Sequence, residues 1–120
     1  MSVYGYEIFV EAVAYMEQKL EKPLQVSDIA LAVHVSESSL QRSFRASADS
    51  SVYEYLLRLR LGRAMEHLKN GESVEAAAFA SGFSNRNHFS NCFKKRFGIA
   101  PSQARKTACD GADLQEHSKV

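Results

Sequence analysis

At 120 residues, 45% of them hydrophobic, the chain can build one small domain or two very small ones that share an interface. No apolar stretch approaches the ~18 residues of a membrane helix, and no basic segment leads into an apolar one at the N-terminus, so neither a membrane span nor a secretory signal is expected. A net charge of +1 argues, taken alone, against a nucleic-acid partner, and two cysteines without metal-ligand spacing, Cys92 and Cys109, point to a reduced, cytoplasmic protein.

Gly and Pro are sparse and apolar residues recur at three- and four-residue spacing, which predicts an all-α chain. A first helix is expected from about Tyr6 to Leu20, with Phe9, Val13, Met16 and Leu20 clustered within about 60°. Ala12, Ile8, Tyr15 and Tyr4 widen that apolar arc to about 180°, more than packing on one neighbour requires. Pro23 closes this region. Ser27 is the expected N-cap of a second helix over Asp28 to Val33, and a tight turn at His34-Val35 leads to Ser36, cap of a third helix over Glu37 to Ala46. Ser51 and Glu54 form a capping box for a long helix that runs to about Leu68, roughly 27 Å, and stops at Asn70-Gly71. Ser73 opens a fifth helix that ends before Gly82. Asn85 caps a sixth that ends at Gly98, and Pro101-Ser102 opens a short seventh.

The charge is unevenly distributed. Residues 1–33 sum to −3, residues 82–106 hold Arg86, Lys94, Lys95, Arg96, Arg105 and Lys106 with no acid, and residues 107–120 sum to −2. An acidic front and a basic back suit one face to a polyanion. The run GFSNRNHFSNCFKKRFG at 82–98 is the most informative part: a Gly-centred turn opens a helix with an aromatic inner face and an outer face of amide, hydroxyl and base. Such a helix matches the major groove, where base-edge donors and acceptors lie between phosphates.

The run also has an earlier, weaker copy. Shifting the chain by 48 residues places Val26 on Val74, Ala30 on Ala78, His34 on Gly82, Val35 on Phe83 and Ser36 on Ser84. One extra residue in the second turn makes the offset 49, and Leu40 then meets Phe89, Phe44 meets Phe93 and Arg45 meets Lys94. Each copy reads helix, tight turn, helix, with a small residue four before a turn position that favours positive φ. One helix-turn-helix match is weak; two in register, joined by one long capped helix, are far more specific.

On these residues, with Ile99-Ala100-Pro101-Ser102 following the run, the chain over about 6–106 resembles the DNA-binding domain of AraC/XylS-type transcriptional regulators. It departs from the usual pattern at His34 and Ala48, where glycine is common, at Val52, where proline often opens the linker helix, and at Ala104, a frequent tyrosine position. The resemblance implies two helix-turn-helix subdomains, 1–50 and 71–108, a linker helix at 51–70 and about seven helices in all. Residues 109–120 are read as a flexible acidic tail.

Helical geometry puts Leu40, Ser43 and Phe44 on one face of the third helix and Ser38, Gln41, Arg42 and Arg45 opposite. In the sixth, Phe89, Cys92 and Phe93 point inward, while Asn87, Ser90, Asn91 and Lys94 point out with Arg86 at the edge. Arg96 falls on the inward arc, with its stem expected to pack and its charge to escape. The resemblance marks Ser38, Gln41, Arg42, Arg86, Asn87, Ser90 and Asn91 as base-facing. Arginine can grip guanine, and Asn or Gln adenine, with two bonds each. Arg45, Lys94, Lys95 and Arg105 are assigned to phosphates, which fix register without reading sequence. If the linker is rigid, the recognition helices meet successive major grooves about one turn, roughly 34 Å, apart.

The implied partners are double-stranded DNA and, for an activator, RNA polymerase. No cofactor or metal is expected. Family members usually carry an effector-sensing domain, although stand-alone regulators of this length exist, and the low net charge with the wide arc on helix one suggests such a partner is missing here. An enzyme is disfavoured: His88 and Cys92 are four apart but have no third ligand or carboxylate nearby, and no nucleophile elbow or phosphate loop is present. The competing reading is a helical protein-interaction module that does not bind DNA.

Overall fold

The computed structural model describes residues 3–107, with side chains from Gly5 onward; Tyr4's side chain, Cys109 and the acidic tail at 109–120 lie outside the described residues. The described residues are helical, with no strand: α1 (Val3–Gln18), α2 (Val26–Ala32), α3 (Glu37–Ala48), α4 (Val52–Lys69), α5 (Val74–Ala80), α6 (Arg86–Phe97) and α7 over 101–107. No helix among them is long and apolar enough to cross a membrane. The chain divides into two compact units within α4, between Leu59 and Arg60.

In the first unit α1 packs on α2 and α3, and α2 on α3. Ile8, Ala12, Met16 and Leu20 are buried with Ile29, Ala30, Leu40, Phe44, Val52 and Leu56. Phe9, Phe44 and Tyr55 form an edge-to-face trio with centroids 4.9–5.4 Å apart. Phe9, Val13 and Tyr15 pack half-buried against this core, so three helices use the wide apolar arc of α1. Ser43 is buried beside Phe44 and donates its hydroxyl to the Gly5 carbonyl. In the second unit Leu61, Ala64 and Leu68 of α4 are buried, as are Ala77, Ala78, Phe83, Phe89, Phe93 and Ala104. Phe83, Phe89, Phe93 and Phe97 form a continuous aromatic row.

Helix ends follow local hydrogen bonding. Ser36, Ser73 and Asn85 accept from the backbone N–H three residues on, as expected of N-caps. Ser51 and Glu54 exchange reciprocal bonds of 3.0 and 3.1 Å. The start of α2 differs from expectation. Its cap is Gln25, whose N–H donates to the Asp28 carboxylate at 2.9 Å, and Ser27 lies inside the helix. Ser27 has only Ala30 three residues on, whereas Gln25 has an acid able to reciprocate. Two further boundaries move. α1 starts at Val3 and ends at Gln18, before Pro23, and α3 continues to Ala48 because the left-handed residue that stops it is Asp49, φ 50°.

The two helix-turn-helix turns are built alike, bond for bond. In the first, Val35 N–H donates to Ala30 C=O at 3.0 Å and His34 N–H to Leu31 C=O at 3.2 Å, with His34 at φ 60°. In the second, Phe83 N–H donates to Ala78 C=O at 3.0 Å and Gly82 N–H to Phe79 C=O at 3.1 Å, with Gly82 at φ 90°. Both are Schellman closures, which require a left-handed residue where His34 and Gly82 stand.

Candidate nucleic-acid interface

Each recognition helix is held by its aromatic or aliphatic inner face, which fixes what the other face presents. Leu40 and Phe44 anchor α3, and Phe89 and Phe93 anchor α6, all four with no exposed surface. In α3 this leaves Ser38, Arg42 and Arg45 exposed and Gln41 half-buried. Arg42 reaches back to the Ser39 hydroxyl at 3.3 Å. Gln41 is engaged differently: its Oε1 accepts from the Val52 N–H at 3.0 Å, ties α3 to the first turn of α4 and satisfies one of that helix's orphan donors. A two-bond contact to adenine uses both ends of the amide, so the oxygen must then either offer the base its second lone pair or release the Val52 N–H.

On α6, Arg86, Asn87, Asn91, Lys94 and Lys95 are exposed and Ser90 is half-buried. The first turn of α6 contains no acid and its last turn contains Lys94, Lys95 and Arg96. Arg96 differs from expectation. The residue is exposed and its guanidinium lies 5.8 Å from the Phe97 ring centroid, a cation–π placement in place of a packed stem. Cys92 also departs from the inward reading: it is half-buried, with its sulfur 3.8 Å from both ring nitrogens of His88. Among the described residues no group of three His, Cys, Asp or Glu side chains converges as metal ligands would.

Two cations in the second unit have protein partners. Arg105 donates from Nε and Nη2 to the Gly71 and Glu72 carbonyls at 2.9–3.2 Å and so clasps the turn between α4 and α5. Arg86 donates from Nη1 to Glu75 Oε1 on α5 at 2.9 Å, with both side chains largely exposed. Both residues line an open cleft of about 270 Å³ with Ser73, Val74, Glu75 and Ser102. Glu75 was not among the sequence candidates. Its only signal was an acid in the first turn of α5 without a local basic partner, which an anion-favouring helix start explains equally well.

Comparison with known proteins agrees with this geometry. A family model described as a helix-turn-helix domain matches residues 20–107. The transcriptional regulator GbdR of Pseudomonas aeruginosa is 39% identical over 97 residues, which are 80% of this chain and 26% of that protein. The chain thus spans about a quarter to a third of the length of GbdR and of other curated relatives from the same organism. Among solved structures, an AraC-type transcriptional regulator from Chromobacterium violaceum superposes with a TM-score of 0.81 at 34% identity, covering 89% of this chain and 96% of that one. The DNA-binding domain of AdpA, solved with a target DNA, shares the fold at a TM-score of 0.77 and 24% identity, over 83% of this chain and 84% of that one. With a family model over most of its length and a near-complete structural relative of that type, the chain belongs to the AraC-type helix-turn-helix family of DNA-binding domains.

Proposed function

We propose that the chain is the DNA-reading part of a bacterial transcription regulator, with α3 and α6 each entering a major groove and the two half-sites lying about one helical turn apart. The observation that carries this reading is the pair of identically closed turns, each followed by a helix with a buried apolar face and an exposed polar one. Arg86 and Asn87 on α6 and Arg42 and Ser38 on α3 contact base edges, with Gln41, Ser90 and Asn91 joining as the surfaces adapt. Lys94, Lys95, Arg45 and Arg105 hold phosphates. The second motif, richer in base, dominates affinity. Activation through contact with RNA polymerase, an effector-sensing domain elsewhere in the regulator and a cytoplasmic location belong to the same proposal. They are supported by the resemblance and by the greater length of the curated relatives.

Selection of bound sites from random duplexes tests the reading. Two short conserved blocks spaced about 10 base pairs support two-motif recognition, and a single block overturns it. Binding that is absent, or unaffected by salt, favours the protein-interaction module, because phosphate-driven binding weakens as salt rises.

A further inference from the structure

The Arg86–Glu75 pair has no evident purpose in the fold. Both side chains are more than half exposed, at 59% and 75%, and ion pairs in water contribute little to stability. The repeat supplies an internal control. At the positions of Glu75 and Arg86 the first motif has Ser27 and Glu37, which cannot make this pair, yet its turn closes with the same two hydrogen bonds. The helix-turn-helix forms without the contact. What the contact does fix is the direction of a long, otherwise free side chain at the first position of the recognition helix.

We infer that Glu75 is a positioning residue for base recognition by Arg86: its carboxylate holds the guanidinium from the α5 side and thereby sharpens discrimination for guanine at the base pair Arg86 meets. The inference rests on the reading of Arg86 as a base contact. Guanidinium carries five donors in a planar fork, and Glu75 occupies one of them on Nη1. The remaining edge still presents two parallel N–H groups, which suit guanine O6 and N7. An arginine already oriented loses less rotamer freedom on forming that bidentate contact. A carboxylate beside the groove also repels phosphates and so weakens binding to any duplex. That repulsion acts equally on matched and mismatched duplexes, whereas orientation acts on the matched one alone.

The test uses the full chain and the duplex selected for it, compared with duplexes altered at single base pairs. The measured quantity is the ratio of matched to mismatched affinity at fixed salt. Arg86→Ala should abolish preference at one base pair and identify it. Glu75→Gln keeps the side chain's size but removes its charge; it should strengthen binding to mismatched duplex and reduce the ratio at that base pair about fivefold, within the range a bidentate pair contributes. Glu75→Asp, too short to reach but still charged, should reduce the ratio without strengthening binding to mismatched duplex, and thermal stability should be unchanged in both. Equal strengthening on matched and mismatched duplexes would overturn the inference, because the carboxylate then only repels phosphate. So would an unchanged ratio in Glu75→Gln while Arg86→Ala removes the preference. Should Arg86→Ala leave every ratio intact, the base contact fails and the positioning role fails with it.

Discussion

His34 stands in a left-handed conformation at φ 60°, where its structural counterpart in the second motif is a glycine at φ 90°. His34→Gly should therefore stabilise the first unit. For an L-residue the left-handed region costs about 1–2 kcal/mol. Glycine in turn loses more backbone freedom on folding, which returns roughly 0.5–1 kcal/mol. The net expectation is a gain of about 0.5–1 kcal/mol. The side chain is exposed, and the two bonds that close the turn are donated by the backbone, so nothing else is lost in the exchange. Urea unfolding followed by circular dichroism should show a higher midpoint at an unchanged slope, and affinity for the selected duplex should not move. The reverse substitution, Gly82→His, should cost at least as much as His34→Gly contributes. A His34→Gly variant equal to or less stable than the parent would refute the argument, since it would mean that the imidazole makes a contact worth more than the backbone strain it incurs.

Three further outcomes are expected. Lys94→Ala and Lys95→Ala should each lower the slope of log affinity against log salt by roughly 0.9, with equal loss on matched and mismatched duplexes; a loss confined to the matched duplex would make them base readers. Arg105→Ala should cost about 1 kcal/mol in thermal unfolding, because it removes three bonds to the Gly71 and Glu72 carbonyls; full stability with weakened DNA binding would assign Arg105 to phosphate alone. The Glu54 carboxyl is held below its ordinary value, chiefly by the Ser51 backbone N–H, then by the Ser51 hydroxyl and by Arg45 and Arg58. A lowered folded-state value means that its stabilisation is present above the unfolded carboxylate range and is lost as pH falls through the folded value. Urea midpoints measured from about pH 5 to pH 3 should therefore fall less steeply in Glu54→Gln than in the parent, and parallel curves would contradict this.

Most helix starts were legible because their signals are local. Ser36, Ser73, Asn85 and the Ser51–Glu54 box all cap where a hydroxyl, amide or acid stands at the right spacing from an apolar run. Ser27 misled because a serine next to a helix outweighs a glutamine in propensity, while the reciprocal Gln25–Asp28 bond decides the boundary. The inward faces of α3 and α6 were equally plain, since helical period separates Leu40, Phe44, Phe89 and Phe93 from their polar neighbours. Side-chain commitments across tertiary distance were not legible. Gln41 to Val52, Arg86 to Glu75 and Arg105 to Gly71 join residues 11 to 34 apart, and no periodicity encodes such pairs. Arg96 and Cys92 sit at the edges of their helix faces, where a 100° wheel does not decide between packed and exposed.

The asymmetry between the motifs follows from which positions the repeat preserves. The buried anchors and the backbone bonds of the turn recur in both copies, while the outward positions diverge: Glu37 against Arg86, Ser38 against Asn87, Gln41 against Ser90, Arg42 against Asn91. The copies are thus one scaffold carrying two different surfaces. On α3, Gln41 is bonded to a backbone N–H at the start of α4, and releasing it leaves that donor to find another partner. On α6, Arg86 is bonded to an exposed carboxylate through Nη1 alone, and its remaining edge can meet a base without any release. Substitution of Gln41 should accordingly change stability and DNA binding together, whereas substitution of Arg86 should change binding alone. That difference in coupling joins the second motif's excess of basic side chains as a physical reason for its proposed dominance, with the first motif a reader partly bound up in the fold.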